Sequence, residues 1–215
     1  MNARSMAVAR RSPRRALYVA FEGLDGAGKS TLVPLVARRL RRAGYSVRVR
    51  REPGSLELKR YAQALGAVDP WAGAIYFTID RYLQRPALER DLTRADVVLG
   101  DRSFWSTIAY QGSALPARQR RRLKELQRRA TIPPELIVLL EIPVPDALAR
   151  VGRRRQGRSP LERRRTLNRV AAAYDRLAEE GRWIRVDGRR RATESADRVV
   201  ATLRAGLARR RRARS

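Results

Sequence analysis

The sequence contains no cysteine and no histidine. The first absence excludes structural disulfides and thiolate metal sites. The second removes imidazole as general base, proton shuttle or zinc ligand. Any chemistry must therefore come from carboxylates, lysine, arginine, hydroxyls or a bound metal ion. No apolar run approaches the ~18 residues that a membrane-spanning helix needs. Lysine is scarce as well: Lys29, Lys59 and Lys124 are the only three among 49 basic residues, the rest being arginine. Acids are outnumbered, 21 against those 49, giving a net charge of +28. Such a charge favours polyanionic partners through steering and counterion release, without telling nucleotides from nucleic acid.

A chain of 215 residues suits one α/β domain with a core that needs no covalent staples. The first 15 residues carry five arginines and no acid, and no apolar segment follows. That pattern reads as a basic tail rather than a secretory signal, although an organelle transit peptide shares the composition. The run after Leu207 (ARRRRARS) reads as a second basic tail. The expected organisation is a tail over 1–15, a folded domain over 16–207 and a tail over 208–215, in a cytoplasmic protein. Within the domain, short apolar runs bounded by turn residues alternate with segments of helical period. Strands are expected at Leu17 to Glu22, Tyr45 to Arg50, Asp96 to Gly100, Leu136 to Ile142 and Trp183 to Val186. Helices are expected from Lys29 to Ala43 and around 72–94, 116–130, 160–180 and 193–209. This alternation predicts a mostly parallel sheet covered on both faces. The stretch from Arg150 to Arg165 holds eight arginines and almost nothing apolar, so it is expected outside the core as a mobile flap.

Gly23 to Ser30 reads GLDGAGKS and matches GxxxxGK[ST], with an apolar strand before it and a helix after it. The chemistry requires these residue types. Gly23, Gly26 and Gly28 let the backbone curl so that successive N–H groups converge on phosphate oxygens. The helix N-terminus adds its positive dipole end. Lys29 would reach the β- and γ-phosphates of ATP, and the Ser30 hydroxyl would ligate Mg²⁺. Leu24, Asp25, Ala27 and Thr31 complete the candidate ATP loop. The bland alternative is a Gly-rich turn with an incidental lysine. Asp25 is unexpected beside phosphate. It reads either as a solvated turn residue or as a group that faces the acceptor sugar or orients arginines. Asp101, closing the strand-like VVLGD, lies where a P-loop enzyme places its Mg²⁺-side carboxylate.

The segments FEGLDGAGKSTL (21–32), REPGS (51–55), FTIDR (77–81) and GDRSFWSTIAYQG (100–112) together resemble the thymidylate kinases, a family of P-loop nucleoside monophosphate kinases. Weaker likeness continues through LEIPVPDALAR (141–150) and LERRRTLNRVAAAYDRLAEE (161–180). The resemblance implies a three-layer P-loop α/β sandwich, a five-stranded parallel sheet of order 2-3-1-4-5, and a homodimer. It also implies that Arg81 and Arg102 grip the acceptor phosphate, a task that suits guanidinium forks, with Arg51 nearby. Phe77 would stack on the base, Thr107 would meet the polar edge of the base, and Tyr110 would lie against the sugar. Gln111 belongs to the same motif. Without the motif, Phe77 and Tyr110 read as core residues and Arg81 as a surface residue.

Many members of that family carry an arginine in the loop where this chain has Gly26; others supply it from a flexible lid. This chain resembles the second type, with a lid at about 150–160 and Arg153 and Arg158 as candidate catalytic groups beside Asp25, Lys29 and Arg102. Two departures stand out: Ser55 replaces the second glycine of the family's EPGG, and Ser103 follows the DR pair where a tyrosine is common. The expected reaction is ATP plus dTMP giving ADP plus dTDP, with Mg²⁺ as cofactor. The acceptor oxygen is already anionic, so no general base is required. Two alternatives remain: a P-loop kinase acting on another deoxynucleotide or a nucleoside, and a basic P-loop protein that binds nucleic acid. The second is disfavoured because the sequence has no obvious nucleic-acid module.

Overall fold

The computed structural model describes residues 15–152, 164–181 and 183–212. Five parallel strands form one sheet: β1 (Leu17–Gly23), β2 (Val47–Arg51), β3 (Val97–Asp101), β4 (Leu136–Glu141) and β5 (Trp183–Asp187), in the order β2-β3-β1-β4-β5. The strand order and the alternation of strand and helix match expectation, and the fold is the P-loop α/β sandwich. Every residue of β1 and β3 is buried, as continuous apolar strands covered on both faces should be. β2, at the sheet edge, buries only Val47 and leaves Arg48, Val49 and Arg51 exposed.

Eight α-helices and one short 3-10 turn (Gly112–Ala114) complete the described elements: α1 (Lys29–Arg42), α2 (Leu56–Val68), α3 (Pro70–Arg94), α4 (Phe104–Tyr110), α5 (Ala117–Ala130), α6 (Val144–Gly152), α7 (Arg164–Glu179) and α8 (Ala192–Arg212). Three of them, α2, α4 and α6, were not legible from periodicity. α2 buries only Ala62 and Gly66, so it carries no large apolar stripe towards the core. It packs on α3 through small residues: a Cβ at Gly73 would lie 2.6 Å from the Gly66 Cα. α4 spans seven residues, too few for a helical repeat to show. α3 starts where Asp69 caps it, its side chain accepting from the Trp71 N–H at 2.9 Å, with Pro70 in the first turn.

Two expectations need correction. The stretch from Arg150 does not begin as a flap: Arg150 to Gly152 form the last residues of α6, and Val151 is in the core. α8 runs to Arg212, past the Leu207 boundary drawn from the sequence. Arg153 and Arg158, the expected lid arginines, lie outside the described residues. No helix among the described residues is long and apolar enough to cross a membrane.

Register fixes the geometry of the site. Arg51 pairs with Asp101 across β2 and β3, Phe21 with Asp101 across β3 and β1, and Gly23 with Leu140 across β1 and β4. The carboxyl ends of the strands therefore open onto one edge of the sheet, where open α/β sheets place their ligands.

Candidate active site

The chain leaves β1 at Gly23, curls through Leu24 to Gly28 and enters α1 at Lys29. Two glycines are sterically required. Gly23 has φ 135° and a Cβ there would lie 2.4 Å from the Leu140 carbonyl oxygen; Gly26 has φ 88° and a Cβ would lie 2.6 Å from the Ala147 carbonyl oxygen. Helix α6 thus sits directly over Gly26, which is why this chain has no room for an arginine in the loop. Leu24 and Ala27 anchor the loop in the core, while Ser30 and Thr31 face solvent in the first turn of α1. Lys29 is buried and folded onto its own loop, donating to the Gly23 and Leu24 carbonyls at 2.8 Å each. Burial, reinforced by the nearby Arg102 charge, pulls its ammonium down to about 8.

Arg102 follows β3 with φ 81°, the left-handed region that non-glycine residues rarely enter. It forms an ion pair with Asp25 and donates from Nη1 to the Ser106 Oγ at 2.8 Å. Its guanidinium also lies 5.3 Å from the Tyr110 ring centroid. Burial works to raise the Asp25 carboxyl, but Arg102 and then Lys29 outweigh it and hold the carboxyl below the usual range. The contact that the Asp25 side chain makes is this ion pair with Arg102. Tyr110 accepts from the Asp25 N–H at 3.0 Å, and burial pushes its phenol well above the ordinary value.

Arg81 projects from α3 and is almost fully enclosed. Its Nε donates to Glu52 at 2.6 Å, Nη1 to the Thr107 Oγ1 at 2.7 Å and to the Gln127 Oε1 at 3.3 Å, and Nη2 to the Ser103 carbonyl at 3.0 Å. Burial raises the Glu52 carboxyl, opposed by Arg81. Phe77, one turn earlier on α3, is half-buried and outside both core clusters. Gln111 is buried, and its Nε2 has no hydrogen-bond partner among the described residues. Arg51 is turned to the edge of the site, its Nε 3.3 Å from Asp101.

Several participants were not singled out from the sequence. Glu52 pairs with Arg81, and Asp80 clamps the loop after β2 by accepting from the Gly54 and Ser55 N–H groups at 3.0 and 2.8 Å. Glu52 lies in the quoted REPGS segment and Asp80 in FTIDR, so their positions were visible but their partners were not. The two departures from the family pattern also gain a local reason. Ser55 caps α2, accepting from the Leu58 N–H at 3.1 Å, and Ser103 caps α4.

A cavity of about 470 Å³ opens beside the loop, lined by Gly23, Leu24, Ile142, Pro143, Tyr174 and Asp187 among others. Arg150 ties the loop to the turn after β5, donating to the Gly188 carbonyl at 2.9 Å and to the Gly26 carbonyl at 3.3 Å. Ser30 and Asp101 offer hard oxygen donors suited to Mg²⁺. Among the described residues there is no cluster of three or more metal-ligating side chains. An ion held by these two would take its other ligands from phosphate and water, the usual arrangement for Mg²⁺ in phosphoryl-transfer sites.

Residues 21–199 match the family model described as thymidylate kinase. Among curated proteins, the chain is 39% identical to "Thymidylate kinase" of Thermomicrobium roseum, covering 86% of this chain and 93% of the relative. It is 37% identical to "Thymidylate kinase" of Leifsonia xyli, covering 88% and 95%, and 39% identical to "Probable thymidylate kinase" of Methanopyrus kandleri, covering 89% and 92%.

Proposed function

The chain belongs to the thymidylate kinase family of phosphotransferases, and on that premise we propose that it moves the γ-phosphate of ATP onto dTMP, giving ADP and dTDP. The observation that carries this reading is the ion pair between Arg102 and Asp25. It brings a guanidinium suited to the acceptor phosphate to the lip of the donor loop, so that the two phosphates meet end to end. The loop N–H groups and Lys29 hold the ATP phosphates. Arg81 and Arg102 hold the acceptor phosphate, Phe77 stacks on thymine, and Thr107 meets its polar edge. Tyr110 bears on the sugar, and the unpartnered Gln111 amide supplies a donor inside the same pocket. Ser30 and Asp101 would hold Mg²⁺, which when bound bridges phosphate oxygens and neutralises their charge. The test is ADP production against a panel of nucleoside monophosphates; more efficient phosphorylation of AMP or dCMP than of dTMP would overturn the thymidylate assignment.

The exposed face of α2 and α3 supports a homodimer. With the hairpin packed through Gly66 and Gly73, its large apolar side chains point outward: Leu56, Val68, Tyr82 and Leu83 are 73%, 88%, 63% and 65% exposed. Sedimentation of the wild type against Tyr82→Glu tests it, with dimer and monomer the expected species. On this reading the enzyme works in the cytoplasm, in the supply of dTTP.

A further inference from the structure

Glu22 is wholly buried one residue before the phosphate loop, and no step above uses it. Four donors converge on its carboxylate. Oε1 receives the Ser103 N–H at 2.8 Å and the Ser103 hydroxyl at 2.7 Å. Oε2 receives the Ser106 hydroxyl at 2.6 Å and the Tyr174 hydroxyl at 2.9 Å. The two serines are also the supports of the acceptor arginines. The Ser103 carbonyl accepts from Arg81 at 3.0 Å, and the Ser106 Oγ accepts from Arg102 at 2.8 Å.

We infer that Glu22 is a positioning residue that holds both acceptor arginines in phase with the donor loop, acting through Ser103 and Ser106. The inference rests on the thymidylate kinase reading of the site. A serine hydroxyl can rotate to suit any neighbour. A carboxylate that accepts the Ser106 hydroxyl hydrogen turns the oxygen's lone pairs towards Arg102, and so fixes where the guanidinium lies. The same carboxylate holds the turn whose carbonyl receives Arg81. Because Glu22 is joined covalently to Gly23, displacement of the loop and displacement of the arginines become one motion. Phosphoryl transfer depends on in-line placement, and a misplacement of about 1 Å costs on the order of 10²-fold in rate. Tyr174 brings α7 into the same arrangement.

The experiment compares wild type, Glu22→Gln and Ser106→Ala in steady-state kinetics with dTMP and in equilibrium binding of a non-hydrolysable ATP analogue. Glu22→Gln keeps the shape but turns an amide donor towards donors. The expected result is a rise of about tenfold or more in KM for dTMP and a lower kcat, with ATP-analogue affinity changed less than about twofold. Unchanged dTMP kinetics, or equal losses for both nucleotides, would overturn the inference. Ser106→Ala keeps the test decisive if Glu22→Gln does not fold, since only one hydroxyl is lost. In wild type it should raise KM for dTMP several-fold. In an Arg102→Ala background it should add nothing, because the arginine it positions is gone; additive losses in the double variant would sink the idea. If the wild type itself fails to phosphorylate dTMP, the thymidylate reading fails and the inference falls with it.

Discussion

The donor and acceptor halves of the site are built on opposite plans. The donor loop is mostly local: within Gly23 to Thr31, glycine φ angles and one helix N-terminus arrange backbone N–H groups, and its cation, Lys29, bonds only carbonyls of the same loop, while Asp25 reaches across to Arg102 and Tyr110. The acceptor half is assembled from side chains far apart in the chain. Arg81 alone touches Glu52, Ser103, Thr107 and Gln127. Backbone cradles bind without ordering distant elements. A side-chain cluster of this kind recognises its ligand and also holds the fold together. Function and stability should therefore separate on the donor side and travel together on the acceptor side.

The largest expected effect is at Arg81. Arg81→Ala strands Glu52, whose carboxyl burial already raises, and removing one partner of a buried pair costs roughly 3–5 kcal/mol. Urea unfolding should register that loss together with a collapse in dTMP affinity; a variant as stable as wild type would break the comparison. Lys29→Ala should lower turnover by about 10²-fold or more. Its unfolding free energy should shift by only about 1 kcal/mol. Next, Phe77→Ala removes stacking worth roughly 1–3 kcal/mol, so dTMP affinity should drop about tenfold to a hundredfold with ATP affinity intact.

A smaller effect is a pH dependence confined to the donor side. Lys29 titrates at about 8 in the free enzyme, below the ordinary lysine value. Bound phosphate favours its charged form, so binding takes up a proton above that pH. ATP affinity should be flat below about pH 8 and fall above it, by at most about tenfold per unit, in calorimetric titrations; Lys29→Ala should abolish the slope. In the same window the lysine alone would make the fold more stable as pH rises from about 8 towards its unfolded value, because burial disfavours the charge. The smallest effect is Ser55→Ala, which removes the cap of α2 and should cost about 1 kcal/mol in a urea melt.

The same contrast explains what the sequence made legible. The strands, the loop and Lys29 were readable because strand runs, glycine spacing and a helix start are local signals, whereas the order of the sheet came only from the family resemblance. Arg81 and Arg102 could be named from their motifs, but not their partners: nothing near Glu22 in the chain announces Ser103, Ser106 or Tyr174, which lie 81, 84 and 152 residues away. α2 escaped notice because its inward face is Ala62 and Gly66, which carry no hydrophobic signal. α6 was concealed by the arginines that follow it, although Val151 is buried and Arg150 is bonded to the loop.

The positive φ of Arg102 sets a limit on how this site can change. Any residue with a Cβ at that position keeps a backbone strain of about 1–3 kcal/mol, which arginine offsets with the Asp25 pair and the Ser106 hydrogen bond. Glycine alone is at ease there, and it has no charge to offer. A saturation library at this position should therefore split along two axes that never meet. Glycine should lead the ranking by resistance to heat and stand among the inactive variants, while alanine should be both inactive and less stable than glycine. If Arg102 grips the acceptor phosphate as proposed, drift at position 102 is caught between charge and backbone comfort: the substitution that relaxes the strain most is the one that discards the guanidinium.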